Sequence, residues 1–181
     1  MDDSTLLARI RRGDDGGFDT LFRRYYESLA GFAASLLKDQ QAGEDVAQDV
    51  MLELWRRRDS LDIAESCRSY LFRAVRNRAL NVLRHEDTVR RSEPAIVVEM
   101  ADSVPAPDVP DTGGLAAAIA AAVGGLPEPV RECFLMNREH GLTYPEIAST
   151  LGISVKTVEA RMGWGLKELR VRLAPWRAAM R

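Results

Sequence analysis

Two stretches of this chain carry side chains whose types and spacing suit contact with nucleic acid. Between Ser66 and Arg84 stand Arg68, Arg73, Arg76, Arg78 and Arg84 with no acid among them. Guanidinium groups hold phosphates through a planar fork of donors. Asn77 and Asn81, four positions apart, add amides able to hydrogen-bond the edge of an unstacked base. The second stretch, Tyr144–Gly163, has the pattern of a helix-turn-helix. Ile147 and Leu151 fall on an inward face and Ala148 is small where a second helix would cross. Gly152 suits a turn of positive φ, Ile153 would plug it, and Val158 would pack the second helix back. By pattern alone the same segment is also a helical hairpin with a glycine turn. From Ser154 to Arg181 seven basic residues face two acids, which favours DNA. In this arrangement the first half of the second helix enters a major groove, and its candidate contacts are Lys156, Thr157, Glu159, Ala160, Arg161, Gly163 and Trp164. Glu159 suits a cytosine amino group and Ala160 a thymine methyl, while Arg161, Lys167 and Arg170 suit phosphates.

The elements that must hold these residues read almost entirely as helix. Ser4 is the expected cap of a short helix through Leu6, Leu7 and Ile10 that stops near Gly13. Phe18, Leu21, Phe22, Tyr25, Leu29, Phe32, Ala33, Leu36 and Leu37 come next in steps of three and four, which predicts a long amphipathic helix. Val46, Ala47, Val50, Met51, Leu54 and Trp55 repeat the pattern, and Tyr70, Leu71, Ala74, Val75 and Leu83 place a further helix under the arginines. Toward the C-terminus, Leu126-Pro127-Glu128 predicts a helix start and Gly141 its end. Thr143 and Glu146 have capping-box spacing, Ser154 caps the recognition helix, and Pro175 limits it. No segment alternates with period two.

The 181 residues carry a net charge of −2, which names no partner by itself. The charge is striped, however. Residues 1–65 hold fourteen acids and nine bases, and residues 85–126 seven acids and two bases. Pro94, Pro105, Pro107 and Pro110 lie in that second acidic stretch and favour an extended linker, within which Ile96, Val97 and Val98 could dock. The expected fold is all-α: two small helical domains, 1–84 and 114–181, joined by a flexible acidic linker over 85–113. The Ala-rich stretch Leu115–Val123 is expected to be helical, packed against the C-terminal helices, and too short to cross a bilayer.

The runs Leu126–Leu135 (LPEPVRECFL), Gly141–Ala148 (GLTYPEIA) and Gly152–Glu159 (GISVKTVE) resemble region 4 of extracytoplasmic-function (ECF) sigma factors of the sigma-70 family. Phe18–Tyr26 (FDTLFRRYY), Gly43–Trp55 (GEDVAQDVMLELW) and Ser69–Asn81 (SYLFRAVRNRALN) resemble region 2 of the same family, in the right order. The resemblance implies a dissociable subunit that binds bacterial core RNA polymerase, selects promoter DNA and helps to melt it. Asp45, Gln48, Asp49, Leu52 and Trp55 match the helix that docks on the polymerase clamp in the family. By pattern alone Asp45 and Asp49 are a pair on a solvated face. Arg73, Arg76, Asn77, Arg78 and Asn81 match the helix that reads the −10 element, with the loop Leu61–Ser66 forming a pocket for an extruded base. The groove contacts from Lys156 to Trp164 correspond to −35 recognition. The family often uses an anti-sigma factor that covers the polymerase-binding faces. Many members carry aspartate where Asn81 stands and a basic run where Gly163–Leu166 stands, so the upstream specificity does not transfer.

Rival classes fit less well. A stand-alone helix-turn-helix regulator would leave the arginine helix at Ser66–Arg84 without a task. An enzyme would need a nucleophile–base pair, a metal cluster or a phosphate loop, and none is present. Cys67, Cys133, His85 and His140 lack zinc-site spacing, so no metal and no cofactor is expected. The cysteines read as packing residues and the two histidines as isolated groups at segment ends. Met1–Ser4 lacks the features of a secretion signal, so a cytoplasmic setting without membrane insertion is expected.

Overall fold

A computed structural model describes residues 2–61, 63, 66–92 and 114–179. Helix α1 (Asp3–Arg11) is capped by Asp2, whose carboxylate accepts from the Thr5 amide at 2.8 Å. Ser4, the expected cap, sits inside the first turn and donates its hydroxyl to Asp2. Asp2 is the better choice because a full negative charge suits the positive end of the helix dipole. Helix α2 (Asp15–Leu37) buries Leu21, Tyr25, Leu29, Phe32 and Ala33 along one side. It ends at Lys38, a non-glycine residue with φ 58°, whose amide reaches the Ala34 carbonyl at 2.7 Å. Asp39 then caps α3 (Gln40–Arg56), so two residues turn the chain into an αα-hairpin. Val46, Val50 and Leu54 are buried from α3, as their period requires.

Helix α4 is longer than its sequence pattern suggests. It runs from Cys67 to Ser92, eight residues into the stretch expected to be linker. The acidic composition from Glu86 onward does not stop a helix. The rest of that stretch, including Ile96–Val98, lies outside the described residues.

In the C-terminal part, α5 (Leu115–Gly124) buries only Ala122, with Leu115 and Ile119 left exposed. Helix α6 (Glu128–Arg138) starts at Pro127 and carries Pro129 in its first turn. Gly141 has φ 67° and Gly152 φ 66°, the left-handed backbone expected at the two breaks. Between them lies α7 (Tyr144–Leu151) with its capping box formed by both partners, Thr143 and Glu146. Ser154 caps α8 (Val155–Arg172), and a last short helix, α9 (Ala174–Ala179), holds Pro175 in its first turn. Among the described residues there is no strand.

The two helical units do not stand apart. One contiguous core of buried side chains runs from Leu6, Leu29, Phe32 and Phe72 of the first unit into Met136, Leu142, Ile147 and Val158 of the second. A smaller cluster of Ala122, Leu126, Val130 and Leu169 ties α5, α6 and α8 together. The α2–α3 hairpin depends on a close backbone approach: a Cβ on Gly43 would lie 2.5 Å from the Ala34 nitrogen and 2.7 Å from its Cα. Gly43→Ala is therefore expected to destabilise the protein by about 1–3 kcal/mol through forced separation of the two helices, despite the better helix propensity of alanine. Denaturant unfolding of the variant measures it.

Candidate nucleic-acid interface

Three exposed faces hold the candidate residues, one on each of α3, α4 and α8. On α3, Asp45, Gln48, Asp49 and Leu52 are exposed and spaced i, i+3, i+4, i+7, so they share a face. Gln48 donates to the Tyr26 hydroxyl at 3.3 Å, and Asp45 accepts from Gln41 at 3.2 Å. Leu52, 48% exposed, puts an apolar side chain in the middle of that polar stripe. The leucine gives this otherwise polar face an apolar side chain that a protein partner could cover. Trp55 is half-buried: its ring lies 5.1 Å from that of Phe18, and the Arg58 guanidinium sits 4.5 Å above it. It extends the stripe at one edge.

On α4, Leu71, Phe72, Val75 and Ala79 are buried, which turns Asn77, Arg78 and Asn81 outward. Asn81 accepts from Arg84 at 3.1 Å. Arg78 pairs with Asp49 of α3 at 2.5 Å, both about half exposed, so the faces on α3 and α4 meet at this ion pair. Arg73 is half-buried. Arg76 is engaged differently. Its Nε lies 2.5 Å from Glu132 of α6, and that carboxylate is only 10% exposed. Of the loop expected to receive a base, Leu61 is buried and Ile63 packs on the core, while Asp62, Ala64 and Glu65 lie outside the described residues.

On α8, Lys156, Glu159, Ala160, Gly163 and Trp164 are exposed and fall at i, i+3, i+4, i+7 and i+8. No atom lies within 4 Å of a Cβ placed on Gly163, so the backbone is bare beside Trp164. Two residues expected on this face sit elsewhere. Thr157 is half-buried, with its hydroxyl 2.8 Å from that of the capping Ser154. Arg161 is half-buried and reaches back to the Cys133 sulfur on α6 at 3.9 Å. Helical rotation explains both, since 157 and 161 lie one turn apart on the flank toward α6.

The second unit is held against the first by a seam of polar and aromatic contacts. Arg68 donates to the Gly141 carbonyl at 3.0 Å, Ser66 donates to Glu146 at 3.0 Å, and Thr150 donates to the Ser69 carbonyl at 3.5 Å. Burial pushes the Glu146 carboxyl upward, but the Thr143 amide and hydroxyl and the Ser66 hydroxyl outweigh it and hold the group below its usual range. His140 is not isolated: it fills the seam between Phe32 and Phe72, with Nδ1 3.1 Å from the Ser28 hydroxyl. His85 lies within α4 rather than at a segment end. Both cysteines are buried and reduced, and burial pushes the Cys67 thiol up to about 12 and raises that of Cys133. They act as packing residues. Among the described residues no cluster could hold a metal, and no helix is long and apolar enough to cross a membrane.

An arginine helix, an acid-and-leucine stripe beside it, and a capped helix-turn-helix in one chain have known counterparts. The family described as "Sigma-70 region 2" matches residues 21–89, and that described as "Sigma-70, region 4" matches residues 116–169. The chain belongs to the sigma-70 family. It is an RNA polymerase sigma factor of the ECF type, a transcription initiation factor and not an enzyme. The ECF RNA polymerase sigma factor SigK of Mycobacterium ulcerans is 28% identical over 171 residues, which span 92% of this chain and 91% of SigK. The RNA polymerase sigma-H factor of Pseudomonas aeruginosa is 28% identical over 169 residues, 88% of each chain. Among solved structures, CnrH in complex with the cytosolic domain of CnrY superposes with a TM-score of 0.68 at 26% identity, over 96% of this sigma factor and 97% of that chain. The sigma factor RpoE bound to the anti-sigma factor NepR from Bartonella quintana shares the fold, with a TM-score of 0.66 at 22% identity over 87% and 96% of the two chains.

Sequence reasoning missed the seam roles of Arg68 and His140, and Glu132 and Ser28 altogether. None carries a local signal, because their partners lie 56 to 112 positions away. The Thr143–Glu146 box is visible in the sequence, but its further bond to Ser66 is not. Because the folded state depresses the Glu146 carboxyl, its contribution is fully present above the ordinary glutamate range and is lost as pH falls through the lower folded value. Glu146→Gln is expected to flatten the acid limb of stability below about pH 5 relative to the parent. Melting temperature measured from pH 7 down to about pH 3.5 checks it.

Proposed function

We propose that the three faces divide the work of initiation. The α3 stripe of Asp45, Gln48, Asp49, Leu52 and Trp55 docks on core RNA polymerase. The α4 residues Arg73, Arg76, Asn77, Arg78 and Asn81 grip and read the −10 element. The α8 face of Lys156, Glu159, Ala160, Gly163 and Trp164 enters the groove of the −35 element. Thr157 supports the Ser154 cap of that helix, and Arg161 braces it on α6. The observation that carries this reading is the coexistence of exposed amides on α4 with an exposed leucine in the acidic stripe of α3. The first suits bases and the second suits a protein, and they sit side by side through Arg78–Asp49.

A second reading concerns the free chain. With α6 and α7 seated on α2 and α4, Glu132 occupies the guanidinium of Arg76 where a phosphate would otherwise bind. The described arrangement is therefore a resting form, and reading the −10 element requires the second unit to move. The likeness to CnrH, solved in complex with the cytosolic domain of CnrY, supports a protein partner for this chain that holds the resting form, and an anti-sigma factor is the partner we propose.

Run-off transcription with purified core polymerase tests the assignment. Asn77→Ala combined with Asn81→Ala is expected to leave holoenzyme assembly near the parent level and to lower open-complex formation. Asp49→Arg is expected to weaken assembly itself. On α8, Glu159→Ala is expected to shift preference at one base pair by about 1–3 kcal/mol. Lys156→Ala is expected to weaken all sequences alike and to reduce the salt slope.

A further inference from the structure

His140 stands where the two units meet, and each neighbouring element contributes a defined contact. It lies just past the last turn of α6, and its amide is anchored on the Leu135 carbonyl at 3.2 Å. Its ring centroid lies 5.5 Å from Phe32 of α2 and 5.5 Å from Phe72 of α4. Gly31 of α2 lies beside it, where a Cβ would meet the imidazole Cε1 at 3.9 Å, an ordinary contact distance. Nδ1 meets the Ser28 hydroxyl, whereas Nε2 is buried and makes no hydrogen bond. We propose that His140 is a proton-operated latch: as a neutral imidazole it locks the α6–α7 corner onto α2 and α4, and on protonation it releases that corner.

The chemistry of the ring dictates the direction. A neutral imidazole needs only one partner at Nδ1 and tolerates a bare nitrogen against aromatic carbon. An imidazolium carries two N–H donors and a full charge. Ser28 can accept from one of them, and the other has no acceptor. The surroundings supply no compensating anion. From α2 the ring meets Ser28, Gly31 and Phe32, none of them charged. From α4 it meets Phe72, and the nearby cation Arg68, bonded to the adjoining Gly141 carbonyl, opposes a second positive charge. On α6 the carboxylate of Glu132 is committed to Arg76, and Glu139, next to His140 in sequence, is exposed. On α7, Glu146 is committed to Thr143 and Ser66. Burial accordingly pulls the imidazole down to about 4 from the 6.5 of a free histidine.

The linkage has a definite sign. A base with a depressed value in the closed form favours closure fully above about pH 7. That preference weakens as pH falls through about 6.5 and is spent near 4. Between about pH 7.5 and 5.5 the closed-to-open ratio should fall about tenfold. Opening uncovers Arg76 and the Phe32–Phe72 face together, so a drop in internal pH would make the −10 helix available. The latch rests on the closed arrangement and is independent of which promoter the faces read. Its test therefore uses neither DNA nor polymerase.

The chain has two histidines, so imidazole NMR of the whole protein resolves His140. His140 is expected to titrate well below the 6.5 of a free histidine. Hydrogen exchange, corrected for intrinsic rates, is then measured from about pH 7.5 to 5.5. The α7 amides should lose about tenfold in protection while those of α3 hold, and His140→Phe, which keeps a ring between Phe32 and Phe72, should abolish the change. A His140 that titrates near the ordinary value of about 6.5, protection of α7 that does not vary with pH in the parent, or the same loss in His140→Phe would each overturn the latch. The titration and the parent exchange decide the matter even if the variant does not fold.

Discussion

Burial of Phe32 and Phe72 is the constraint on which the arrangement rests. Both rings are essentially inaccessible, 5.3 Å apart, at a point where α2 and α4 alone would leave them facing water. Two large aromatic faces cannot stay solvated without a cost of a few kcal/mol each. The α6–α7 corner covers them, and His140, Met136, Leu142 and Ile147 complete the layer. The helix that carries Arg73, Arg76, Asn77 and Arg78 is thus also the floor of a shared core, and its exposed polar strip and its core-facing strip are adjacent on one cylinder.

Electrostatics reinforces that packing unevenly. Arg78–Asp49 is half exposed, where solvent screening leaves an ion pair worth about 0–1 kcal/mol, so it yields easily to a competing phosphate or protein. Arg76–Glu132 is much more enclosed. Removing one partner there would strand a desolvated charge, which makes the contact an all-or-nothing one. The stripes of opposite sign along the sequence are in this way partly cancelled by folding, since an acid of the C-terminal unit neutralises an arginine of the N-terminal helix.

Local features are legible in the sequence and distant ones are not. The capping box at Thr143 and Glu146, the Ser154 cap and the turn at Gly152 each involve residues within four positions, so residue type and spacing define them. The helix-turn-helix and the buried strip of α3 arise from a period of 3.6 for the same reason. Asp2 displaces Ser4 as a cap because two acceptors compete in one turn and the charged one wins. Helix α4 overruns its expected end because acidic composition is no stop signal. Thr157 and Arg161 are close to Glu159 and Ala160 in sequence, yet the rotation of the helix points them in another direction. Glu132 and His140 offer nothing to read, because what gives them meaning is a surface contributed by residues far away in the chain.

The shared core has a consequence for how the protein is made. Residues 1–92 leave the ribosome with α2 and α4 ready to pack but with Phe32 and Phe72 uncovered, and they wait in that state while the next segment is translated. The lid arrives only when α6 and α7 emerge, after residue 151. At about 5–20 residues per second the delay is several seconds. During it the nascent chain exposes an aromatic face and a row of arginines together, to RNA and to chaperones alike. Order of synthesis, and not only final stability, therefore bears on how much of this chain reaches its folded form.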